Sequence, residues 1–231
     1  MGLRDELVSC VKCPRLVAFR QACAQRVPPR FRRDVGARGF WARPVPAFGD
    51  WNAFLAIVGL APAAFGANRT GRMFTGDRSG DFLYAALHRF ALATQGESRH
   101  RGDGLALRGV LITAAVRCAP PKNRPTAEEL ANCRPYLRED LASLPNLRVI
   151  LALGRIAHDA VLSAWPGGRE RPRPVFAHGR EHVLPGGVVL VDSYHVSQQN
   201  TFTGRLTASA FDRILARCLK LSGKEGSRGP S

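Results

Sequence analysis

The chain has 231 residues, of which 45% are hydrophobic, and it carries 34 lysines and arginines against 18 aspartates and glutamates. This hydrophobic content supports a packed core and excludes a wholly disordered chain, and the length suits one large domain. The longest apolar runs fall far short of the roughly 20 residues that a membrane-spanning helix needs. The first six residues lack the apolar core of a signal peptide, so we expect a cytoplasmic protein.

Arginine supplies almost all of the positive charge. It accounts for 30 of the 34 basic residues, and the formal net charge is +16. The planar guanidinium binds phosphate through paired hydrogen bonds, so an excess of this size favours a polyanionic partner such as nucleic acid. A GC-rich coding bias or selection for solubility would also raise the arginine content.

Four short segments, hydrophobic throughout, predict buried β-strands at 54–60, 110–116, 147–153 and 188–192. Helical patterns cover 79–93, 126–144, 155–165 and 207–221. Ser79 or Asp81 is predicted to cap the first of these helices, and Thr126 with Glu129 opens the second as a capping box. This alternation predicts an α/β fold: one domain with a central, mostly parallel four-stranded sheet and helices on both faces.

The segments between these elements are rich in arginine, proline and glycine. We expect 26–50 to be a basic surface loop, and 166–187 to be a similar loop that holds a small hairpin near 176–184. The polar Gly/Ser tail at 222–231 is predicted to be disordered. No internal repeat is present, so the prediction is one domain over 1–221.

Ligands of open α/β sheets bind beyond the carboxyl ends of the strands. In this chain the rule selects the loops that follow the four predicted strands, at 61–80, 117–125, 154–158 and 193–203. Residues of unusual chemistry are concentrated in these loops.

Six cysteines in a chain without a signal peptide argue against a disulfide framework and favour metal ligation or burial. Cys10 and Cys13 have a chelating spacing, and Cys118 and Cys133 form a second, wider pair. A four-iron cluster fits this pattern better than a zinc ribbon, which would show a second tight pair; zinc and unrelated buried thiols are the alternatives. The remaining two have no partner at ligand spacing and are expected to pack as apolar residues: Cys23 and Cys218.

The loop after the first strand carries the densest set of candidate ligand-binding residues. Glycines at 59, 66, 71, 76 and 80 allow the backbone to approach a ligand closely. Polar donors, an aromatic ring and a carboxylate follow: Asn68, Arg69, Thr70, Arg72, Phe74 and Asp77. Each has a structural alternative, since Asp77 could cap a helix, Phe74 could pack in the core and the glycines could form turns. This is not a Walker loop, because its Lys-Ser/Thr pair is absent.

Four segments extend over nearly the whole chain, in the order Cys10-x-x-Cys13-Pro14-Arg15-Leu16, Gly59-Leu-Ala-Pro…Asn68-Arg-Thr-Gly-Arg-x-Phe-Thr-Gly-Asp77, Val116-Arg-Cys-Ala-Pro-Pro-Lys-Asn123-Arg-Pro and His195-Val-Ser-Gln-Gln-Asn200-Thr. Together they resemble the uracil-DNA glycosylase superfamily, in the iron–sulfur branch known as family 5. The resemblance implies a DNA-repair hydrolase. Such an enzyme flips a damaged base out of DNA and cleaves its N-glycosidic bond, leaving an abasic site.

The resemblance also implies catalytic roles. Asp77 would orient a water molecule and stabilise the positive charge that develops on the sugar. His195 would donate a hydrogen bond to the O2 oxygen of the departing uracil anion. Asn123 would position the water or contact the base. On its own, either His195 or Asn123 would be interpreted as a structural residue.

Further roles follow from the same resemblance. Phe74 corresponds to the aromatic residue that stacks on the base, and Gly59, Leu60, Asn68 and Arg72 are the other predicted substrate-binding residues. The loop predicted to enter the DNA helix contains Ser197, Gln198, Gln199 and Asn200. A structural [4Fe-4S] cluster is predicted on Cys10, Cys13, Cys118 and Cys133, within an N-terminal cluster-binding segment. The partner would be double- or single-stranded DNA, bound by a monomer associated with the nucleoid.

One position departs from the related family 4 pattern. Those enzymes carry an asparagine that reads the uracil edge where this chain has Ala114. Without that amide, discrimination against other bases weakens, so we predict activity on uracil and also on hypoxanthine and other deaminated or damaged bases. The alternatives are a strict uracil glycosylase of the family 4 type and a non-catalytic iron–sulfur or zinc DNA-binding module.

Overall fold

A computed structural model describes residues 6–168 and 172–224 of the chain. Its strands are β1 (Phe48–Gly49), β2 (Leu55–Gly59), β3 (Val110–Ala114), β4 (Val149–Leu153), β5 (Glu181–Val183) and β6 (Val189–Ser193). Its helices are α1 (Pro14–Gln25), α2 (Pro29–Arg38), α3 (Ala67–Thr70), α4 (Arg78–Arg89), α5 (Ala127–Ala142), α6 (Arg155–Ala164), α7 (Gln198–Phe202) and α8 (Ala208–Leu221). None of the described helices has the length and apolarity needed to cross a bilayer.

The four predicted strands form the centre of the sheet. Their order is β3-β2-β4-β6, and every pair of neighbours among them is parallel. Within the described residues the sheet has six strands rather than the predicted four, because β1 and β5 pair antiparallel at its two edges. Both edge strands are too short to produce a recognisable hydrophobic run. The predicted hairpin is also shifted, since β5 pairs with β6 through a turn at 184–188.

Helices cover both faces of the sheet, as predicted. Leu55 and Ile57 of β2 face a hydrophobic layer that contains α4 and α8, while Ala56 and Val58 face a second layer that contains α5 and α6. Successive residues of a strand point to opposite faces, so a strand buried on both sides must be apolar throughout. The α/β fold class is confirmed.

Several boundaries differ from the prediction. The expected loop at 26–50 contains α2 and β1, and α1 was not predicted. Helix α2 has no buried residue, so it lacks the apolar periodicity that reveals a helix; the Pro29-Arg30 start supplies its first turn. Helix α4 ends at Arg89 and is capped by Asp77. The capping box of α5, formed by Thr126 and Glu129, is present as predicted.

Parts of two predictions lie outside the described residues. They are the arginines at 169 and 171 in the predicted basic loop, and most of the predicted tail, from 225 to 231.

Candidate functional site

A cavity of about 270 Å³ lies beyond the carboxyl ends of β2 and β3. Three of the four loops selected from the sequence meet there, namely those that follow β2, β3 and β6. The lining residues are Leu60, Ala61, Pro62, Ala63, Ala67, Met73, Phe74, Asp77, Ser79, Ala114, Asn123, His195, Ser197 and Gln199. Pockets for drug-sized ligands measure roughly 300–1,000 Å³, so this cavity suits a single planar base.

Asp77 both caps a helix and lines the cavity. Its Oδ1 accepts a hydrogen bond from the Gly80 N–H at 3.0 Å, which starts α4. Burial raises the pKa of Asp77, against the lowering effects of the Gly80 and Ser79 N–H groups and of Arg69. The two interpretations that the sequence allowed for this aspartate are therefore compatible. The cap holds the carboxylate in one orientation at the edge of the cavity.

Phe74 belongs to the loop that follows β2, and its ring lies beside Gly59, the last residue of that strand. Its backbone φ of 51° falls in the left-handed region, which non-glycine residues adopt rarely and which is frequent in functional sites. A Cβ on Gly59 would lie 2.9 Å from Cζ of the Phe74 ring, so the glycine makes room for that ring. Gly59 thus supports the aromatic wall from behind, and Leu60, the next residue, lines the cavity directly.

His195 lies on the same side of the cavity as Phe74, with ring centroids 6.2 Å apart and an interplanar angle of 30°. Burial lowers the pKa of His195 to about 4, so the imidazole is neutral at neutral pH. Its Nδ1 is buried and has no hydrogen-bond partner among the described residues. A neutral imidazole with an unused nitrogen in a closed site can form a hydrogen bond with a ligand.

Asn123 reaches the cavity through an unusual turn. Residues 121–123 form a short 3₁₀ helix, in which Lys122 and Asn123 have φ values of 55° and 54°. Asparagine tolerates this left-handed conformation better than most residues. The exposed Asn123 side chain lines both the cavity and the groove beside it.

Some residues of the loop after β6 line the cavity or the adjoining groove, and one forms a hydrogen bond within the protein. Ser197 and Gln199 line the cavity, and Gln198 lines the neighbouring groove. Asn200 differs from them, because its amide N–H donates to the carbonyl oxygen of His195 at 2.8 Å. This contact supports the backbone of His195 and engages the Asn200 amide within the loop, while the intercalating role of Asn200 stays a prediction.

Phe202, the last residue of α7, is 69% exposed, and the Arg78 guanidinium lies 5.7 Å from its ring centroid. Sequence reasoning missed this residue, because a single phenylalanine among polar residues resembles an ordinary core position. A large exposed aromatic ring beside the cavity-lining loop is a candidate DNA contact.

Two predicted substrate-binding residues lie outside the cavity. Asn68 is fully buried, and its amide donates to the carbonyl oxygens of Arg20 and Ala64. Arg72 is 2% exposed and forms two 2.7 Å bonds with the Asp103 carboxylate. Both are donors in the glycine-rich loop, but their hydrogen bonds are used within the protein. Neither residue lines the cavity in this structure, and a substrate-binding role for them stays a prediction.

A groove of about 820 Å³ adjoins the cavity and shares Asp77 and Asn123 with it. Helix α2, which the sequence had suggested was a loop, contributes part of its lining. The groove is lined by four arginines, of which all but Arg69 are exposed: Arg30, Arg69, Arg78 and Arg99. Guanidinium groups along a groove that leads to a closed cavity suit a phosphodiester strand.

The four predicted cluster ligands lie in one region. Cys13, Cys118 and Cys133 pack around Leu16 and Val116. Cys10 lies beside them, because the Arg20 guanidinium donates both to the Cys10 carbonyl oxygen and to Sγ of Cys118. Burial raises the pKa of the Cys133 thiol to about 12, and burial likewise raises those of Cys13 and Cys118. The site thus joins the start of α1, the segment after β3 and helix α5.

The four cysteines supply the all-thiolate donor set that a [4Fe-4S] cluster requires, and a zinc ion accepts the same donor set. Four thiolates around one zinc, with bonds of about 2.3 Å, lie about 3.8 Å from one another. Among the described residues, the group of potential ligand atoms that all lie within 4.8 Å of one another is His158, His182 and Asp192, not the cysteines.

Arg20 supplies the second test of fit. This arginine is 4% exposed, and its Nη1 donates to Sγ of Cys118 at 3.0 Å. Its Nε has no partner among the described residues. A buried guanidinium requires nearby negative charge, which cluster-bound thiolates supply and neutral thiols do not. The donor set therefore fits an iron–sulfur cluster.

The histidine–aspartate group is a buried ion pair. His158 Nδ1 lies 2.7 Å from Oδ1 of Asp192, and its Nε2 lies 3.1 Å from the carbonyl oxygen of Pro174. Both neighbours are acceptors, an arrangement that favours the doubly protonated imidazolium form of His158. Burial alone would lower the pKa of His158, but its bond to Asp192 outweighs this effect and raises the pKa. His182 Nε2 lies 3.3 Å from the second oxygen of Asp192.

Comparisons with known proteins agree with this architecture. A family model described as "Uracil DNA glycosylase superfamily" matches residues 46–218. A type-5 uracil-DNA glycosylase from Thermus thermophilus is 51% identical over 94% of this chain and 95% of its own length. One from Pyrobaculum aerophilum is 46% identical over 92% of this chain and 89% of its own length.

A type-4 uracil-DNA glycosylase, also from Pyrobaculum aerophilum, is 38% identical over only 51% of this chain and 53% of its own length. The similarity to the type-5 proteins thus covers nearly the whole chain, at higher identity. This chain belongs to the uracil-DNA glycosylase superfamily, and it groups with the type-5 members.

Proposed function

We propose that this chain is a monofunctional DNA glycosylase of base excision repair, which flips uracil out of DNA and hydrolyses its N-glycosidic bond to leave an abasic site. One observation carries the proposal: a base-sized cavity in which a carboxylate, a neutral imidazole and an aromatic ring meet beside an arginine-lined groove. The relatives at 46–51% identity are named uracil-DNA glycosylases, which supports uracil as a substrate.

Base flipping requires a grip on phosphates, a stacking surface and a group that fills the vacated stack. The exposed groove arginines Arg30, Arg78 and Arg99 suit the first role, and Phe74 suits the second. The loop after β6 would fill the vacated stack, through Ser197, Gln198 and Gln199. The exposed ring of Phe202 adds an apolar surface at the same loop. The net charge of +16 favours DNA as the partner, bound by a monomeric protein in the cytoplasm at the nucleoid.

Bond cleavage places positive charge on the sugar and negative charge on the departing base. Asp77 stabilises the sugar cation and orients the attacking water, since its carboxylate is held at the cavity by the Gly80 N–H. The carboxylate must be ionised for both tasks.

His195 stabilises the departing base. Its neutral ring donates a hydrogen bond to the pyrimidine O2 as charge accumulates there, which is a preorganised donor aimed at a developing anion. Asn123 at the cavity entrance positions the water or contacts the base edge.

Cys10, Cys13, Cys118 and Cys133 would hold a [4Fe-4S] cluster. When bound, the cluster supplies structural cross-linking, because its ligands come from the N-terminal segment, the exit of β3 and helix α5. None of the four cysteines is among the cavity-lining residues, and the roles proposed for the hydrolysis belong to Asp77, Asn123 and His195.

The substrate range extends beyond uracil. Ala114 ends β3, is 1% exposed and lines the cavity where a family 4 enzyme carries an asparagine. A methyl group forms no hydrogen bond with a base edge, so a hypoxanthine is not penalised by an unpaired amide. We expect Ala114→Asn to raise the uracil-to-hypoxanthine ratio of rates by at least tenfold. An unchanged ratio in matched oligonucleotides would refute this role of Ala114.

The test of the proposed function is base release from otherwise identical duplexes that carry uracil, hypoxanthine or thymine, detected by alkaline strand scission. Wild type should release uracil and hypoxanthine, and Asp77→Asn should release neither while binding DNA normally. Asp212→Asn is the matched control, because Asp212 pairs with Arg89 on the surface. Binding without release in wild type would favour the iron–sulfur DNA-binding module, and release of uracil alone would favour the strict uracil glycosylase.

A further inference from the structure

Arg20 lies between the cysteine cluster and the cavity wall. Its guanidinium donates to Sγ of Cys118 at 3.0 Å and to the carbonyl oxygen of Cys10 at 3.3 Å. Its own carbonyl oxygen accepts a hydrogen bond from the Asn68 amide at 3.4 Å, and that amide also donates to the Ala64 carbonyl oxygen at 3.2 Å. One residue therefore contacts two of the predicted cluster ligands and the loop that carries the cavity wall.

The charge environment of Arg20 differs from that of the other buried arginines. Arg69, Arg72 and Arg117 each form an ion pair with an aspartate. Within the described ranges, no carboxylate lies within ion-pair distance of Arg20, whose acceptors are a sulfur and a carbonyl oxygen. A buried guanidinium without an anion costs several kcal/mol. Among the described residues, the group in contact with the Arg20 guanidinium that can carry this negative charge is the sulfur of Cys118.

The hydrogen bond between the Arg20 carbonyl oxygen and the Asn68 amide connects Arg20 with the wall of the cavity. Asn68 lies on α3, and its neighbour Ala67 lines the cavity, as does Ala63, whose carbonyl oxygen accepts the Asn68 backbone N–H at 3.1 Å. Oδ1 of Asn68 has no partner among the described residues, so the Asn68 side chain is held through its amide N–H groups alone. The position of this wall thus depends on the Arg20 backbone.

We propose that Arg20 is a positioning residue with two tasks: it compensates the charge of the iron–sulfur cluster at Cys118, and it anchors the 63–68 wall of the cavity through Asn68. The proposal rests on the cluster assigned above. It makes the cluster region part of the support of the active site, because a change at Cys118 reaches Asn68 through a single residue.

The first test measures the stability and the reduction potential of the cluster and does not depend on base release. Arg20→Gln, Arg20→Lys and wild-type holoprotein are compared for iron content, for the rate of loss of cluster absorbance in a chelator and for the reduction potential. We expect Arg20→Gln to lose iron at least tenfold faster and to have a lower potential, since removal of a positive charge disfavours the reduced cluster. The iron-loss rate and reduction potential of Arg20→Lys should lie between those of wild type and Arg20→Gln, because lysine keeps the positive charge but lacks the paired N–H donors of the guanidinium.

The matched control is Arg72→Gln, which removes a buried guanidinium far from the cysteines and should leave the iron-loss rate within twofold of wild type. If Arg20→Gln does not fold, Arg20→Lys carries the test. Iron loss and potential equal to wild type in the Arg20 variants would overturn the proposal. Equal acceleration in Arg72→Gln would also overturn it, because the effect would then be general destabilisation.

The second test separates the two tasks. Asn68→Ala should lose iron at the wild-type rate but should lower kcat for uracil release about tenfold with little change in DNA affinity. A normal kcat in Asn68→Ala would refute the anchoring task. If wild type released no base, the proposed function would fail, whereas the iron-loss and potential measurements would still decide the charge-compensation task.

Discussion

Replacing Gly66 with alanine is expected to displace the Asp77 carboxylate. A Cβ at Gly66 would lie 1.9 Å from Oδ2 and 2.8 Å from Cγ of Asp77. Ordinary carbon contacts begin at about 3.4 Å, so the carboxylate must move by about 1.5 Å. A misplacement of about 1 Å costs roughly 100-fold in rate, so we expect single-turnover uracil release to fall at least 100-fold.

The stability cost should be smaller than the catalytic cost. Moving the carboxylate weakens the cap that Asp77 forms with the Gly80 N–H, and loss of such a cap costs about 1 kcal/mol. Gly66→Ala should therefore remain folded and bind DNA. Gly36→Ala is the matched control, since a Cβ there meets no atom within 4 Å, and alanine within a helix is favourable by about 0.5–1 kcal/mol. This control should retain full activity.

A double-mutant cycle decides whether the methyl group acts through Asp77. On an Asp77→Ala background, Gly66→Ala should cause no further loss, because the carboxylate that it displaces is absent. Single-turnover rates for the four proteins complete the cycle. A Gly66→Ala rate within threefold of wild type, or losses that simply add, would refute the steric reasoning.

Three other predictions address the charged residues. Burial raises the pKa of Asp77, so the acid limb of the single-turnover pH profile should lie above the ordinary aspartate value of about 3.9; a limb at or below that value would contradict an essential Asp77 carboxylate. His158→Gln should lower the free energy of unfolding by about 1.5–3 kcal/mol at pH 5.5, since the buried Asp192 loses its shortest contact and keeps those with His182 and the Ala177 N–H. Because the folded-state pKa of His158 is raised, its stabilisation is complete below the unfolded value of about 6.5 and is lost as pH rises through the folded value. Urea unfolding at pH 5.5 and 8.5 should therefore show a smaller difference at the higher pH, and a larger one would disprove the ion pair. Arg72→Met should lower the free energy of unfolding by about 3–5 kcal/mol, because it removes the ion-pair partner of the Asp103 carboxylate, yet the Kd for DNA should stay within threefold; a large loss of affinity would restore Arg72 as a DNA contact.

The central sheet could be predicted because its strands are buried on both faces and are therefore hydrophobic throughout. The same reasoning could not find α2, which buries no residue and thus carries no apolar periodicity. It also could not find β1 or β5, because strands of two and three residues are defined by their pairing partners alone.

The residues of the candidate site also differ in whether the sequence could predict their positions. Asp77, Phe74 and His195 follow strands, so the rule for carboxyl ends of parallel strands brings them together before any coordinates are known. Asn68 and Arg72 lie in the same loop as Asp77, and residue type alone made them equally good ligand donors. Their hydrogen bonds with Arg20 and Asp103 remove them from the cavity, and these contacts join positions far apart in the chain.

The amino-acid sequence by itself determined the α/β class, the loops that form the site and the family, because these depend on local hydrophobic pattern and on motifs of adjacent residues. The tertiary structure alone decided which side chains face the cavity, how Gly66 confines the Asp77 carboxylate and how Arg20 connects the cysteines to the cavity wall. The physical reason is that side-chain direction and burial are set by long-range packing. A buried polar group takes whichever partner the fold brings within hydrogen-bond distance.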